Sequence, residues 1–374
     1  MNFGFTEEQE LLRKTARDFL EEHAAIQSVR AVMEDPEQSW DPALWERMAQ
    51  LGWMGLALPE QHGGAGLSLV ELCLVLEELG RCLAPVPFLP TVIAATAIDE
   101  LGDATQRESW LPRIAAGEVA ATFAVTEERG SDALADLELS ARRDGADWVL
   151  RGRKLFVPDF AAANLVVVAA RMAGGGAGLF VVPTATAGLS GEAMQSMDLL
   201  RPLSELVLDD VRVEASGLLG AAALCEEDFE RVLDRARVMV AAEMVGGAEK
   251  CLEDSVAYAK ERVQFGKPIG VNQAIKHKCA DMLFQVESAK SITYYAAWSA
   301  CAGEADAPLA ASMAKSFVSD AYRSVTGDNI QIHGGVGFTW EYDCHLYFKR
   351  AKSDESWLGG GVEHRERVAR LLDL

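Results

Sequence analysis

The hydrophobic period of this 374-residue chain changes twice. That double change limits the folds open to it more than any other feature. Up to about residue 118 the apolar residues recur at helical spacing. Thr6 before Glu8, Gln9 and Leu11-Leu12 predicts a capped amphipathic helix running to about His23. Pro42 to Gln50 gives another. A loop from Leu58 to Ser68, rich in glycine, opens a third over Leu69–Leu79, and Pro85, Pro87 and Pro90 break the chain before the next. Near Val119 the pattern becomes short β-rich runs: Ala120–Val125, Leu137–Arg142, Trp148–Phe156, Leu165–Ala170, Leu179–Val182 and Leu206–Val213. Asp144-Gly145 and Gly174-Gly175-Gly176 supply turn chemistry between them. From about Glu226 the 3.6-residue period returns, with long helices near 226–263, 271–301, 307–332 and 341–357. The expectation is an α+β chain of three domains: helical (1–118), a β-barrel or sandwich (119–225), then helical again (226–374).

Composition narrows the function. Hydrophobic residues make up 49% of the chain, enough for a large core. No apolar run reaches the roughly 18 residues that mark a membrane span. The first eight residues lack the basic start and apolar centre of a secretory signal. Seven cysteines (73, 82, 225, 251, 279, 301, 344) are spread without a Cys-x-x-Cys pair and read as reduced thiols of a cytoplasmic protein. A net charge of −22 argues against nucleic acid or an anionic membrane as partner. A few arginines in one place still suffice for an anionic ligand.

Two glycine-containing segments stand in the C-terminal helical region. One is Gln331-Ile332-His333-Gly334-Gly335-Val336-Gly337-Phe338, the other Arg262-Val263-Gln264-Phe265-Gly266 with Gln273 beyond it. Neither is a P-loop, which needs Gly-Lys-Ser/Thr, nor a Rossmann turn, which follows a strand with wider glycine spacing. With Tyr258 to Ile269 and Ala280-Asp281-Met282, this pair resembles the acyl-CoA dehydrogenase family of flavoproteins, and the helix–β–helix order agrees with it. The resemblance implies the family's fold, with a C-terminal four-helix bundle. It also implies FAD as cofactor, an acyl-CoA thioester as substrate and an electron-transferring flavoprotein as electron acceptor. By the same resemblance Arg262 reaches the FAD pyrophosphate of a neighbouring subunit, a role suited to a forked, permanent cation. Phe265, Gln273 and Gln331 sit at FAD too, and Gly334 and Gly335 allow close backbone approach at the adenosine end. The bland alternatives are a surface arginine at a helix end and a helix C-cap followed by a turn. His333 reads as structural. It has no second ligand nearby, so no metal site is expected.

In the β region, Val125-Thr126-Glu127-Glu128-Arg129-Gly130-Ser131-Asp132 is similar to the family's Thr-Glu-Pro-Gly-x-Gly-Ser-Asp loop but one residue shorter. It places Thr126 at flavin and Ser131 at the acyl group. Lys154-Leu155-Phe156-Val157-Pro158-Asp159 stands where the family often has Lys-x-Trp-Ile-Thr-Asn. Phe156 keeps the aromatic over the flavin. Pro158 replaces the hydroxyl at the flavin N5 edge with a residue that has neither hydroxyl nor N–H. Asp234 and Arg237 match the pair that the family sets beside the thioester. Their alternative is a solvated i, i+3 ion pair worth a few tenths of a kcal/mol.

Desaturation at a Cα–Cβ bond needs a carboxylate to take the α-proton and a flavin to accept hydride. The family draws its glutamate from one of two positions, which here are Ala236 and Leu358. Neither can take a proton. One reading is a base-lacking subunit of an α2β2 complex, resembling those of bacterial steroid degradation, whose homologous partner chain carries the base. Another is a self-sufficient homotetramer with a relocated base. Glu243 lies about 10 Å along the helix from Ala236, and Glu355 lies three residues before Leu358. For each, local pairing is the competing account. A third reading is a flavin-free scaffold.

Overall fold

The computed structural model describes residues 4–35, 38–220 and 223–374. Among the described residues six α-helices lead the chain: α1 (Glu7–His23), α2 (Ile26–Glu34), α3 (Pro42–Gln50), α4 (Leu69–Cys82), α5 (Phe88–Leu101) and α6 (Ala104–Ala115). Thr6 caps α1 reciprocally: its Oγ1 accepts from Gln9 N at 3.2 Å, and Gln9 Oε1 accepts from Thr6 N at 2.9 Å. Asp41 caps α3, with Pro42 in the first turn. Pro90 does not break the chain before a helix as expected. It sits in the first turn of α5, where a missing N–H is no loss. Most of α5 is buried on all sides, which an almost wholly apolar sequence permits.

Seven strands follow among the described residues: β1 (Ala121–Ala124), β2 (Ser140–Asp144), β3 (Asp147–Pro158), β4 (Leu165–Met172), β5 (Ala177–Pro183), β6 (Leu189–Ala193) and β7 (Leu203–Val213). They join in one mixed sheet, a half-barrel rather than two facing sheets, in the order β1-β4-β2-β3-β7-β6, with β5 on β4. β4 pairs parallel to β1 along Leu165–Val168 and to β2 at Arg171 and Met172, and antiparallel to β5 on its other edge. It is central, and its run Leu165–Ala170 is wholly buried. Gly145 at φ +65° makes the β2–β3 turn, and Gly174, Gly175 and Gly176, all at positive φ, make the β4–β5 turn. The sheet core gathers Trp148, Leu150, Val166, Val168, Phe180 and Leu206.

The remaining chain is α7 (Glu226–Glu261), a short hairpin β8 (Val263–Gln264) and β9 (Lys267–Pro268), α8 (Gln273–Ala302), α9 (Ala307–His333), α10 (Cys344–Ser356) and α11 (Gly361–Leu371). By packing, the chain divides into two units. One comprises Met1–Val29, Leu69–Ala84 and Arg237–Leu374; the other comprises Arg30–Ser68 and Pro85–Ala236. In the first, α4 crosses α7 so closely that Gly80 and Gly246 abut the backbone carbonyls of Glu243 and Glu77. Around that crossing lies a buried ionic cluster. Arg17 grips Glu78 through two bonds (2.8 and 2.9 Å), while Lys290 and Tyr294 hold Glu77.

No helix among the described residues is long and apolar enough to cross a membrane. All seven cysteines are free thiols. Burial pushes Cys73 and Cys251 well above the ordinary thiol range and Cys82 up to about 12.

Candidate functional site

In the first unit the two glycine motifs emerge side by side. Tyr258, one turn before the end of α7, stacks on His333, the last residue of α9, with ring centroids 4.1 Å apart. His333 is buried, with Nδ1 2.9 Å from Asn329 O, and Ser255 Oγ donates to Asn329 Oδ1 at 2.9 Å. This stack joins the segment that starts at Arg262 to the one that starts at Gly334. The role of His333 here is structural, and Tyr258 is the partner that spacing alone does not single out. Ile269 N donates to Arg262 O at 2.8 Å, folding β8–β9 back on the helix end. The hairpin tip, Phe265-Gly266, has φ of +52° and +80°, and the Phe265 ring is 98% exposed. Arg262, Gln273, Gln331, Gly334 and Gly335 are all exposed. Arg262 forms no ion pair among the described residues. Gly334 turns at φ +66°, and a Cβ on either Gly334 or Gly335 would meet nothing within 4 Å. An unpaired guanidinium on one segment and open, side-chain-free backbone on the other, joined through the Tyr258–His333 stack, suit the diphosphate and sugar of a dinucleotide.

The same unit holds the base position at the 358 turn. Leu358 is buried at φ +58°, and its carbonyl oxygen accepts from His364 Nε2 at 2.9 Å and from Arg237 Nε at 3.4 Å. Arg237 directly follows Ala236, so the turn beneath Leu358 is tied to the helix that carries the other vacant position. Burial, helped by the charges of Arg237 and Lys315, pushes His364 down to about 3. The ring is therefore neutral and carries its hydrogen on Nε2, and Nδ1 has no hydrogen-bond partner. Lys315, fully buried, donates to the carbonyls of Asp354 (2.9 Å), Glu355 (3.1 Å) and Gly359 (3.0 Å). Sequence reasoning passed over Lys315 and His364. Lys315 is remote in sequence from the turn it supports, and His364, six residues beyond Leu358, sits on a helix the periodicity does not show.

The two candidate replacement carboxylates are engaged elsewhere. Glu243 is buried against Arg350 at 3.3 Å. Glu355 pairs with Lys352 at 2.5 Å and faces Arg323 at 3.6 Å. Asp234 and Arg237 are themselves buried on α7, 6% and 5% exposed, so they are not a solvated pair.

In the second unit the shortened loop is knit to itself. Thr126 Oγ1 donates to Asp132 Oδ1 at 2.8 Å, Ser131 Oγ accepts from Ala133 N at 3.2 Å, and Thr126 O accepts from Leu155 N at 2.9 Å. Phe156 stands at φ +56° on a bulge of β3, its ring 48% exposed. Pro158 is buried and its carbonyl accepts the Thr122 hydroxyl at 2.7 Å. The ring of Phe156 is available to a flat partner. The hydroxyl of Thr126 is already spent, and Pro158 offers no donor. No cluster of three or more His, Cys, Asp or Glu among the described residues can hold a metal ion.

The chain matches three family profiles in sequence order. These are acyl-CoA dehydrogenase N-terminal domain (residues 6–118), middle domain (122–211) and C-terminal domain (227–372). It belongs to the acyl-CoA dehydrogenase family. It is 33% identical to acyl-CoA dehydrogenase IpdE2 of Mycolicibacterium smegmatis over 98% of both chains. It is also 33% identical to acryloyl-CoA reductase (NADH) of Anaerotignum propionicum over 99% of this chain and 95% of that protein. Among solved structures it superposes on a chain of the Tcur3481-Tcur3483 steroid ACAD with TM-score 0.89, 35% identity and 98% coverage of both. On butyryl-CoA dehydrogenase of Megasphaera elsdenii the TM-score is 0.91, at 28% identity and full coverage of both chains.

Proposed function

We propose that this chain is the base-lacking subunit of a heteromeric acyl-CoA dehydrogenase, working with a homologous chain that carries the catalytic glutamate. The observation that carries the reading is the state of the base positions. Ala236 and Leu358 hold no titratable group, and the Leu358 carbonyl is capped by Arg237 and His364. Both substitute carboxylates are committed to cations, Glu243 to Arg350 and Glu355 to Lys352, which weighs against a relocated base. The two halves of the flavin site fit unequally. Arg262, Gln273, Gln331, Gly334 and Gly335 fit the ADP portion of FAD, whereas Thr126 and Pro158 leave the flavin edge short of donors. The C-terminal segments therefore serve FAD seated mainly in the partner chain. A bound flavin supplies the hydride acceptor. Arg262 neutralises the pyrophosphate, and the partner's carboxylate takes the α-proton of the thioester. Electrons then leave to an electron-transferring flavoprotein in the cytoplasm. The relatives named above act on acyl-CoA substrates, and the likeness to a two-chain steroid ACAD supports the paired assembly.

The test is turnover with a dye acceptor on linear, branched and steroid-type CoA thioesters, by the lone chain and by the chain co-expressed with a homologue that keeps the glutamate. Activity should appear only in the pair. Robust turnover by the lone chain overturns the proposal and points to a homotetramer.

A further inference from the structure

Lys154 is the most deeply buried cation of the β domain, 0% exposed. Its ammonium donates to Glu127 Oε1 at 2.6 Å and to Val125 O at 2.9 Å. Glu127, also buried, accepts Glu138 N on Oε2 at 2.5 Å and Leu139 N on Oε1 at 3.0 Å. One carboxylate thus closes the chain between residues 127 and 138, and one lysine fastens that closure to β3. The expected strand start at Leu137 is displaced to Ser140 for this reason, since the Leu139 N–H goes to a side chain instead of a sheet partner. A buried ion pair is a poor source of net stability, and losing one partner strands a charge. Its placement directly under the loop that carries Thr126 and Ser131 calls for another account.

We propose that the Lys154–Glu127 pair is a latch that holds the 126–139 loop closed against β3 and so positions Thr126 and Ser131. Lys154 is then a positioning residue. On the functional reading above this chain's own flavin-edge site stays empty, so the latch fixes the shape of the loop whether or not a ligand meets it. The latch itself is testable without either ligand.

Burial lowers the Lys154 pKa to about 8, against the opposing charges of Glu127 and Asp132. An open loop would return the lysine to its ordinary 10.5. Opening therefore takes up a proton between those values; rising pH favours the closed loop because the buried lysine is then held neutral, so the pH slope reports burial of Lys154 and the variants below report its bonds to Glu127.

Arg129, in the middle of the loop and exposed, is a trypsin site that reports opening. Cutting after Arg129, normalised to an unstructured peptide, should fall as pH rises from 8 to 9.5. Lys154→Met should raise the rate at pH 7.5 by about tenfold or more and abolish the pH slope, while cutting at Arg262 is unchanged. Glu127→Gln should give a similar rise, and the double variant should cut no faster than the quicker single, since both remove one latch. Unchanged cutting at Arg129, or effects that multiply in the double variant, would overturn the latch. Should the variants not fold, hydrogen exchange of the native chain decides. Glu138 and Leu139 amides should be protected, and exchange as fast as a free peptide rejects the proposal. A working latch in a chain that never engages flavin would instead count against the functional reading alone.

Discussion

Arg262 is an exposed guanidinium without an ion pair among the described residues, in a chain whose net charge is −22. With so many carboxylates at hand, an unclaimed arginine at a helix end points to an anion from outside the chain. Arg262→Ala should weaken FAD retention in the assembled protein by about 1.5–3 kcal/mol, the worth of a charged hydrogen bond. Arg262→Lys should recover part of it, because an ammonium cannot fork across two oxygens. Equilibrium dialysis against FAD measures both, and equal retention by Arg262→Ala removes the residue from the site. His364 gives a prediction of a different kind. Its folded pKa, about 3, lies below the ordinary 6.5. Below 6.5 the unfolded chain binds a proton that the folded chain does not. The stability tied to this group is whole above pH 6.5 and declines as pH falls toward 3. Urea melts across that window should show a shallower acid loss in His364→Gln than in the parent. The contrast between these residues shows what sequence reveals of a site. Arg262, Gln331 and the glycines sit in contiguous motifs whose chemistry is local. Lys315 acts on the 358 turn from α9 and only packing brings it there, while His364 follows the turn by six residues on α11, a helix hidden behind its glycines.

The crossing of α4 over α7 depends on glycine. A Cβ at Gly246 would overlap the Glu77 carbonyl oxygen, and one at Gly80 would overlap that of Glu243. Backbone cannot yield as a side chain does, so the helices must separate. Gly246→Ala should destabilise the fold by about 1–3 kcal/mol or more, whereas Gly303→Ala, where no neighbour lies within 4 Å, should cost only the strain of its φ of +67°. Thermal melts of the two variants compare them, and a Gly246→Ala melting temperature at or above that of Gly303→Ala contradicts the close crossing. Helix edges were legible in sequence where a cap or proline marks the start, as at Thr6 and Pro42, while Pro90 misled by sitting inside the first turn of α5. Strands were legible where β-branched residues run together, as in β4 and β5. β6 was not, because Leu189-Ser190-Gly191-Glu192-Ala193 has one large apolar residue and is largely exposed. α11 escaped notice behind Gly359-Gly360-Gly361, a run that reads as turn. Its first residue is one of those glycines, and Glu363 caps it by accepting from Gly360 N at 2.7 Å.

For the whole molecule, the unequal halves of the flavin site set a ratio. If Arg262, Gln273 and the 331–335 turn act in trans, each chain of this kind completes one FAD site on its partner. Its own β domain, with Thr126 bonded to Asp132 and Pro158 without a donor, leaves the reciprocal site empty. A closed assembly of two such chains and two homologues should therefore carry about one FAD per two chains. The ratio separates the readings more sharply than activity does, because a weak assay cannot imitate it. Flavin absorbance against protein, on an assembly whose mass is fixed by native mass spectrometry, gives the number. One FAD per chain in a complex of identical subunits would mean that the β-domain site is functional despite Pro158, and the homotetramer would stand. No flavin under any pairing would leave the exposed Arg262 without its anion and reduce the chain to a scaffold. At one FAD per two chains, Arg262→Ala in this subunit should weaken retention of all the assembly's flavin, while loss of the matching arginine in the partner should leave retention unchanged.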